Sequence, residues 1–195
     1  MLRKQPFYLE RTPDEVQKDH FDWGFRFTGR YGTYYEYTFS DGILNNQSTE
    51  REKLYGFDPV MYCLNLYYPK VFDSMNVRVG RYISIPDIEA QLAPDNITYS
   101  HSPLYTFDPY TQNGIVTTIK LNRIWTIQGE VSGGQDVAPF LAHQYHTTPA
   151  ACVAWQSNSG NNQIYPCMNR LNDSNWRWNN IQHAVATWYH KFNDR

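Results

Sequence analysis

From Asp22 to Tyr31 the chain changes character at every residue. Trp23, Phe25, Phe27 and Tyr31 share one parity with Gly29, while Asp22, Arg26, Thr28 and Arg30 share the other. Such period-two alternation sends apolar side chains to one face of a strand and polar ones to the opposite face. The pattern recurs over 59–68, where Val60, Tyr62, Leu64, Leu66 and Tyr68 lie on one side. It recurs over 76–83, where Val77, Val79 and Ile83 oppose Asn76, Arg78, Gly80 and Tyr82, and Arg81 breaks the parity. Residues 114–121 and 124–131 alternate on either side of Asn122-Arg123. A link that short between alternating segments predicts a hairpin. Segments 32–39 and 149–157 read as further strands. In 181–192, Ile181, Val185 and Trp188 fit helical spacing, but the Thr, Val and aromatic content favours a strand. Residues 1–20 read as loop, with a short helix expected near 13–18 after Thr12-Pro13, and Asn158–Asn180 reads as a turn-rich excursion. The expected fold is all-β and antiparallel, with about eight strands.

One insertion interrupts this regularity. Ser84–Asn113 spans 30 residues and carries Pro86, Pro94, Pro103 and Pro109 with Asp87, Glu89, Asp95 and Asp108. Structureless loops of that length are uncommon in compact domains and are usually functional. A strand, a long acidic and tyrosine-rich loop, then another strand suits a loop folded into a pore or a ligand cleft.

At 195 residues one domain, 1–195, is expected. With a net charge of -2 and no basic patch, a nucleic-acid partner is not indicated. The 16% aromatic content argues against disorder. No apolar run is long enough for a transmembrane helix, a test that does not reach β-barrels, whose alternating strands keep mean hydropathy low. The expected strand lengths are close to the roughly 9–11 residues that cross a bilayer. Short links alternate with long ones, and Trp23, Tyr31, Tyr68, Trp125, Trp155 and Tyr189 mark strand ends. Outer-membrane barrels share both features, as aromatic girdles and as unequal turns and loops.

Cys152 and Cys167 flank the turn-rich stretch 156–166 and are candidates for a local disulfide, which would suit an oxidising compartment; the other reading is three free thiols, with Cys63 in core or lipid. The first residues hold no apolar signal-peptide core, so either the protein is cytosolic or a signal lies upstream, and both ends read as cuts, so a fragment truncated at both ends is expected.

The run Val77-Arg78-Val79-Gly80-Arg81-Tyr82-Ile83-Ser84-Ile85-Pro86-Asp87-Ile88-Glu89, then Pro94-Asp95-Asn96 and Tyr99-Ser100-His101-Ser102, resembles the OmpL-like β-barrel porins of bacterial outer membranes. The segments 111–116, 125–128, 133–136 and 188–194 look like the same family. The resemblance implies an outer-membrane barrel that passes small solutes, with further strands beyond the last segment and no catalytic residues or cofactor. Lipid and small solutes are then the partners, and a homo-oligomer is compatible with the class.

In a pore, charged side chains at a constriction set selectivity. The basic candidates are Arg26, Arg30, Arg78 and Arg81; the acidic ones are Asp87, Glu89 and Asp95. Facing acids and bases would set up a transverse field. The competing account is solvated loop acids and arginines paired to neighbours. His143 and His146 lack a cysteine or carboxylate partner, so no metal site is expected. Asp87 and Glu89 also have a spacing tolerable for a glycosidase pair, which keeps a β-rich hydrolase as a weaker reading. The chief alternative is a secreted β-sandwich binding carbohydrate on Trp and Tyr platforms. It would bury Trp23, Phe25 and Phe27 from every solvent.

Overall fold

The computed structural model describes residues 5–33, 42–44, 46–49, 55–83, 85, 111–135, 137–138, 145, 147–169 and 183–192. Nine strands occur in chain order: β1 Gln5–Arg11, β2 Asp22–Gly32, β3 Gly56–Tyr68, β4 Ser74–Ile83, β5 Thr111–Lys120, β6 Trp125–Gln135, β7 Thr148–Gln156, β8 Asn162–Asn169 and β9 His183–His190. Each pairs antiparallel with the next, giving a single meander sheet that is not closed on itself. The described helix content is one turn, Asn46–Thr49.

The strands expected from alternation are present, and two more join them. β1 occupies what reads as loop. β8 runs through the expected excursion despite Pro166, which faces Ala186 of β9. On the β7 side the paired positions are Cys152↔Cys167 and Trp155↔Ile164, with no pairing between them. Proline has no N–H to give a ladder, and the gap falls at that residue. The expected helix near 13–18 does not form. The Asp14 carboxylate accepts the N–H groups of Val16 and Gln17, and the chain bends without winding further. The long insertion is shorter than read, because β5 begins at Thr111. The expected strand over 32–39 falls almost wholly outside the described residues.

Register carries the alternation across the whole sheet. One row runs Phe25, Leu64, Val79, Ile115, Val131 and Pro149. The row beside it on the other face runs Asn65, Arg78, Val116, Glu130 and Ala150. The apolar face is the exposed one: Leu64, Ile115 and Val131 stand open while Asn65, Gln112, Glu130, Ser132 and Asn169 are buried. A protein folded for water has the reverse distribution. A sandwich would cover the apolar face with a second sheet, but all nine described strands share one sheet, and Trp23 is 45% exposed.

The connections divide by end. Segments 12–21, 69–73, 121–124 and 157–161 close one end; 33–55, 84–110, 136–147 and 170–182 join strands at the other. The short ends are fixed by local hydrogen bonds. The Asn122 side-chain oxygen accepts the N–H groups of Ile124 and Trp125, so the β5–β6 link turns within four residues, 121–124. Trp23, Tyr68, Trp125, Trp155 and Trp188 lie on the apolar face near this end, with Trp125 opposite Trp155 and Ile164 opposite Trp188. They form the aromatic border of an apolar band. From Trp125 to Val131 that band extends about 20 Å along the strand.

The two faces predict opposite responses to the same charge. Ile115→Arg should destabilise the folded protein in lipid vesicles by about 2–4 kcal/mol, while Thr118→Arg on the opposite face should cost little. Denaturant-driven unfolding in vesicles measures both; equal losses would contradict the assignment of faces.

Candidate functional site

The polar face holds the site. Residues of one parity on β2 to β8 project onto it, among them Arg26, Asn65, Asn76, Arg78, Tyr82, Thr118, Gln128 and Tyr165. Two segments fold across this face and leave space between them.

The first segment is the 12–21 connection. The Tyr67 hydroxyl, on a side chain 2% exposed, donates to the carbonyls of Glu15 and Gln17 at 3.0 and 3.1 Å. Asn76 Nδ2 donates to Glu15 Oε1 at 2.6 Å, and the Asp14 N–H donates to Asp22 Oδ2 at 2.8 Å. Lys18 Nζ reaches the Asp73 carbonyl at 2.5 Å. The segment is therefore a strap tied to β2, β3, β4 and the 69–73 turn.

The second is the chain just after β4. Ile85 packs against Val60, Met61, Tyr82 and Val116, and its carbonyl accepts the Tyr165 hydroxyl at 3.5 Å. Tyr165 also contacts Gln128 across β7, where the intervening side chains are small. Ile85, the described residue of the long connection, thus lies over the polar face. Between strap and turn lies a cavity of about 390 Å³ whose lining includes Glu15, Asn76, Arg78, Ile85, Thr118 and Gln128. A second space of about 780 Å³ lies toward β1 and β2.

The expected charged residues separate into three groups. Arg26 and Arg78 stand on the polar face: Arg26 approaches Glu10 at 3.9 Å, and Arg78 Nε donates to Asn65 Oδ1 at 2.8 Å. Arg30 has the same parity near the long-connection end of β2 and is half-buried. Arg81 is fully buried in the wall and cannot meet a solute. Its Nη1 pairs with Asp58 Oδ1 at 2.9 Å and donates to the Pro59 carbonyl at 2.8 Å, while Nε donates to Thr111 Oγ1 at 3.1 Å. These bonds offset the desolvation of the charge. Arg81 keeps the register of the sheet, opposite Tyr62 and Asn113. Gly80 adopts a φ of 128°, a conformation open to glycine, and both Arg81 and Tyr82 beyond it are buried. Asp87, Glu89 and Asp95 lie outside the described residues, as do His143 and His146.

Cys152 and Cys167 form a disulfide between directly paired positions of β7 and β8 on the polar face. Cys63 is free and buried on the same face. Sequence reading missed Glu15 and Glu130. Glu15 sits in a segment read as loop, where an acid is unremarkable. Glu130 was visible as an acid at a strand's inward parity; it is 3% exposed and faces Tyr82 and Ser132. No group of three or more His, Cys, Asp or Glu suited to a metal occurs among the described residues.

Outside the strands, Asp73 anchors the strap. Its carboxylate is held below the ordinary carboxylate range chiefly by a hydrogen bond from Lys120, which with the charges of Lys120 and Lys18 outweighs the opposing effect of desolvation. Lys120 Nζ lies 3.2 Å and Lys18 Nζ 3.5 Å away. A depressed value contributes stability that is complete at neutral pH and is lost as pH falls below about 3.8 through the folded-state value. Limited proteolysis near Lys18 should therefore rise on acidification, and in Asp73→Asn this acid-dependent rise should be reduced. An unchanged acid dependence in the variant would remove Asp73 from the account.

The sequence matches the family described as "Putative beta-barrel porin-2, OmpL-like" over residues 6–190. No curated protein and no solved structure matches it. With nearly the whole chain matched, and with an exposed apolar face backing a polar one, the chain belongs to this OmpL-like family of outer-membrane β-barrel porins.

Proposed function

We propose that the chain forms the wall of a passive diffusion pore for small polar solutes and performs no catalysis. The observation that carries this reading is the pair of spaces on the polar face, bounded by the strap and by the turn at Ile85. The apolar row from Phe25 to Val131 then meets lipid, and the polar face lines water. Outer-membrane barrels carry short turns on the periplasmic side and long loops outside, which puts the strap at the periplasmic mouth and the 84–110 connection at the outer one. Asp87 and Glu89 follow Ile85 closely in sequence, and with Asp95 they supply acid to the constriction on this reading. Arg26, Arg30 and Arg78 supply the opposing charge.

Planar-bilayer recording of the protein carrying this chain tests the proposal. The expected result is stepwise, ohmic conductance that falls when uncharged polymers small enough to enter the pore are added. Insertion without conductance above the bare bilayer would overturn it.

A further inference from the structure

Arg78 and Glu15 line the same two spaces of the polar face without pairing. Arg78 is half-buried on β4, its guanidinium oriented by the single bond from Nε to Asn65. Asn65 is itself buried, so that orientation is fixed from beneath. Glu15 is carried on the strap, its carbonyl held by Tyr67 and one carboxylate oxygen by Asn76. Both residues line both spaces of the polar face, and no ion pair joins them among the described residues. The other charges nearby are largely engaged. Arg11 pairs with Asp22 at 2.9 Å, Arg26 lies against Glu10, and Asp14 accepts backbone N–H groups of the strap. Glu130 shares the Arg78 row beyond Val116 and is buried in the wall. Among the described residues, one cation on the wall and one anion on the strap therefore remain open to whatever passes between them.

Resting on the pore reading above, we infer that Glu15 and Arg78 form a charge pair that selects zwitterionic solutes of amino-acid size. A free α-amino acid has an ammonium and a carboxylate within one small molecule. It can offer the ammonium to Glu15 and the carboxylate to Arg78, whose planar fork suits a carboxylate. A monoanion gains at one wall and loses at the other, and so does a monocation. An uncharged solute gains at neither. The selecting position lies at the strap, near the short-turn end, and not only in the long connection to which acidic insertions draw attention.

Swelling of liposomes bearing the protein tests this with glycine and glycolamide, its uncharged isomer. The wild type should admit glycine faster. Glu15→Gln and Arg78→Gln should each lower the glycine-to-glycolamide ratio by about twofold, the scale of one exposed charge's interaction. In a KCl gradient their reversal potentials should move in opposite directions, Arg78→Gln toward cation selectivity and Glu15→Gln toward anion selectivity. Arg78→Lys, which keeps the charge, should retain the wild-type sign. Swelling that persists with unchanged ratios and potentials in the Gln variants overturns this inference and leaves the pore standing. A wild type that admits neither solute overturns the pore reading and this inference with it.

Discussion

Every backbone amide placed in hydrocarbon must find its partner within the protein, and the antiparallel ladder of a closed barrel is one of two ways to do so. The rest of this structure depends on that ladder. Once nine strands are paired in order, the side chains have only two directions to take, and the sequence assigns each direction a different solvent. The row from Phe25 through Leu64, Val79 and Ile115 to Val131 is apolar, and beyond the half-buried Phe25 it is exposed. The adjacent row, one residue along, carries Asn65, Arg78 and Glu130. A slip of one residue by β4 or β6 against its neighbours would send Arg78 or Glu130 into the apolar face, so register is strongly specified. The disulfide adds a covalent constraint on β8, where Pro166 weakens the ladder on the β7 side.

The lumen takes its form from segments laid across this wall. The strap depends on Tyr67, Asn76, Asp22 and Asp73, residues far apart in sequence that the register gathers at one end. The turn at Ile85 depends on an apolar patch, Met61, Tyr82 and Val116, set in an otherwise polar face. Both segments reach the polar face from the same chain that builds it. Glu15 and Arg78, which no ion pair joins, line the same spaces there because one belongs to the strap and the other to the wall.

How far the sequence foretold this varies with the range of the interaction. Alternation in β2, β3, β5 and β6 was legible because a strand's two faces are written in consecutive residues. β8 was not, since its Asn, Pro and Cys residues mimic a turn and only pairing with both neighbours makes it a strand. The inward face of Arg26 and Arg78 followed from parity. The burial of Arg81 did not, because it depends on Asp58 and Thr111, which lie 23 and 30 positions away. Thr12-Pro13 has the form of a helix start, but the 12–21 segment gains more from tertiary hydrogen bonds to Tyr67 and Asp22 than from helical turns. Glu15 became a site residue by the same route, and no local signal marked it.

The sheet is open, and its first and last strands run in the same direction, because each of the nine is antiparallel to its neighbour. Closing an antiparallel barrel from it therefore takes an odd number of further strands between β9 and β1. The central claim is that neighbouring residues along one strand meet different solvents. The most direct measurement is a spin-label scan of β4 and β5 in lipid vesicles, with Cys63 replaced, comparing collision with oxygen and with a water-soluble nickel complex. The account predicts that labels at Val77, Val79 and Ile115 collide mainly with oxygen, and those at Asn76 and Thr118 mainly with nickel. Accessibility that fails to alternate, or alternates with the opposite phase, would contradict it.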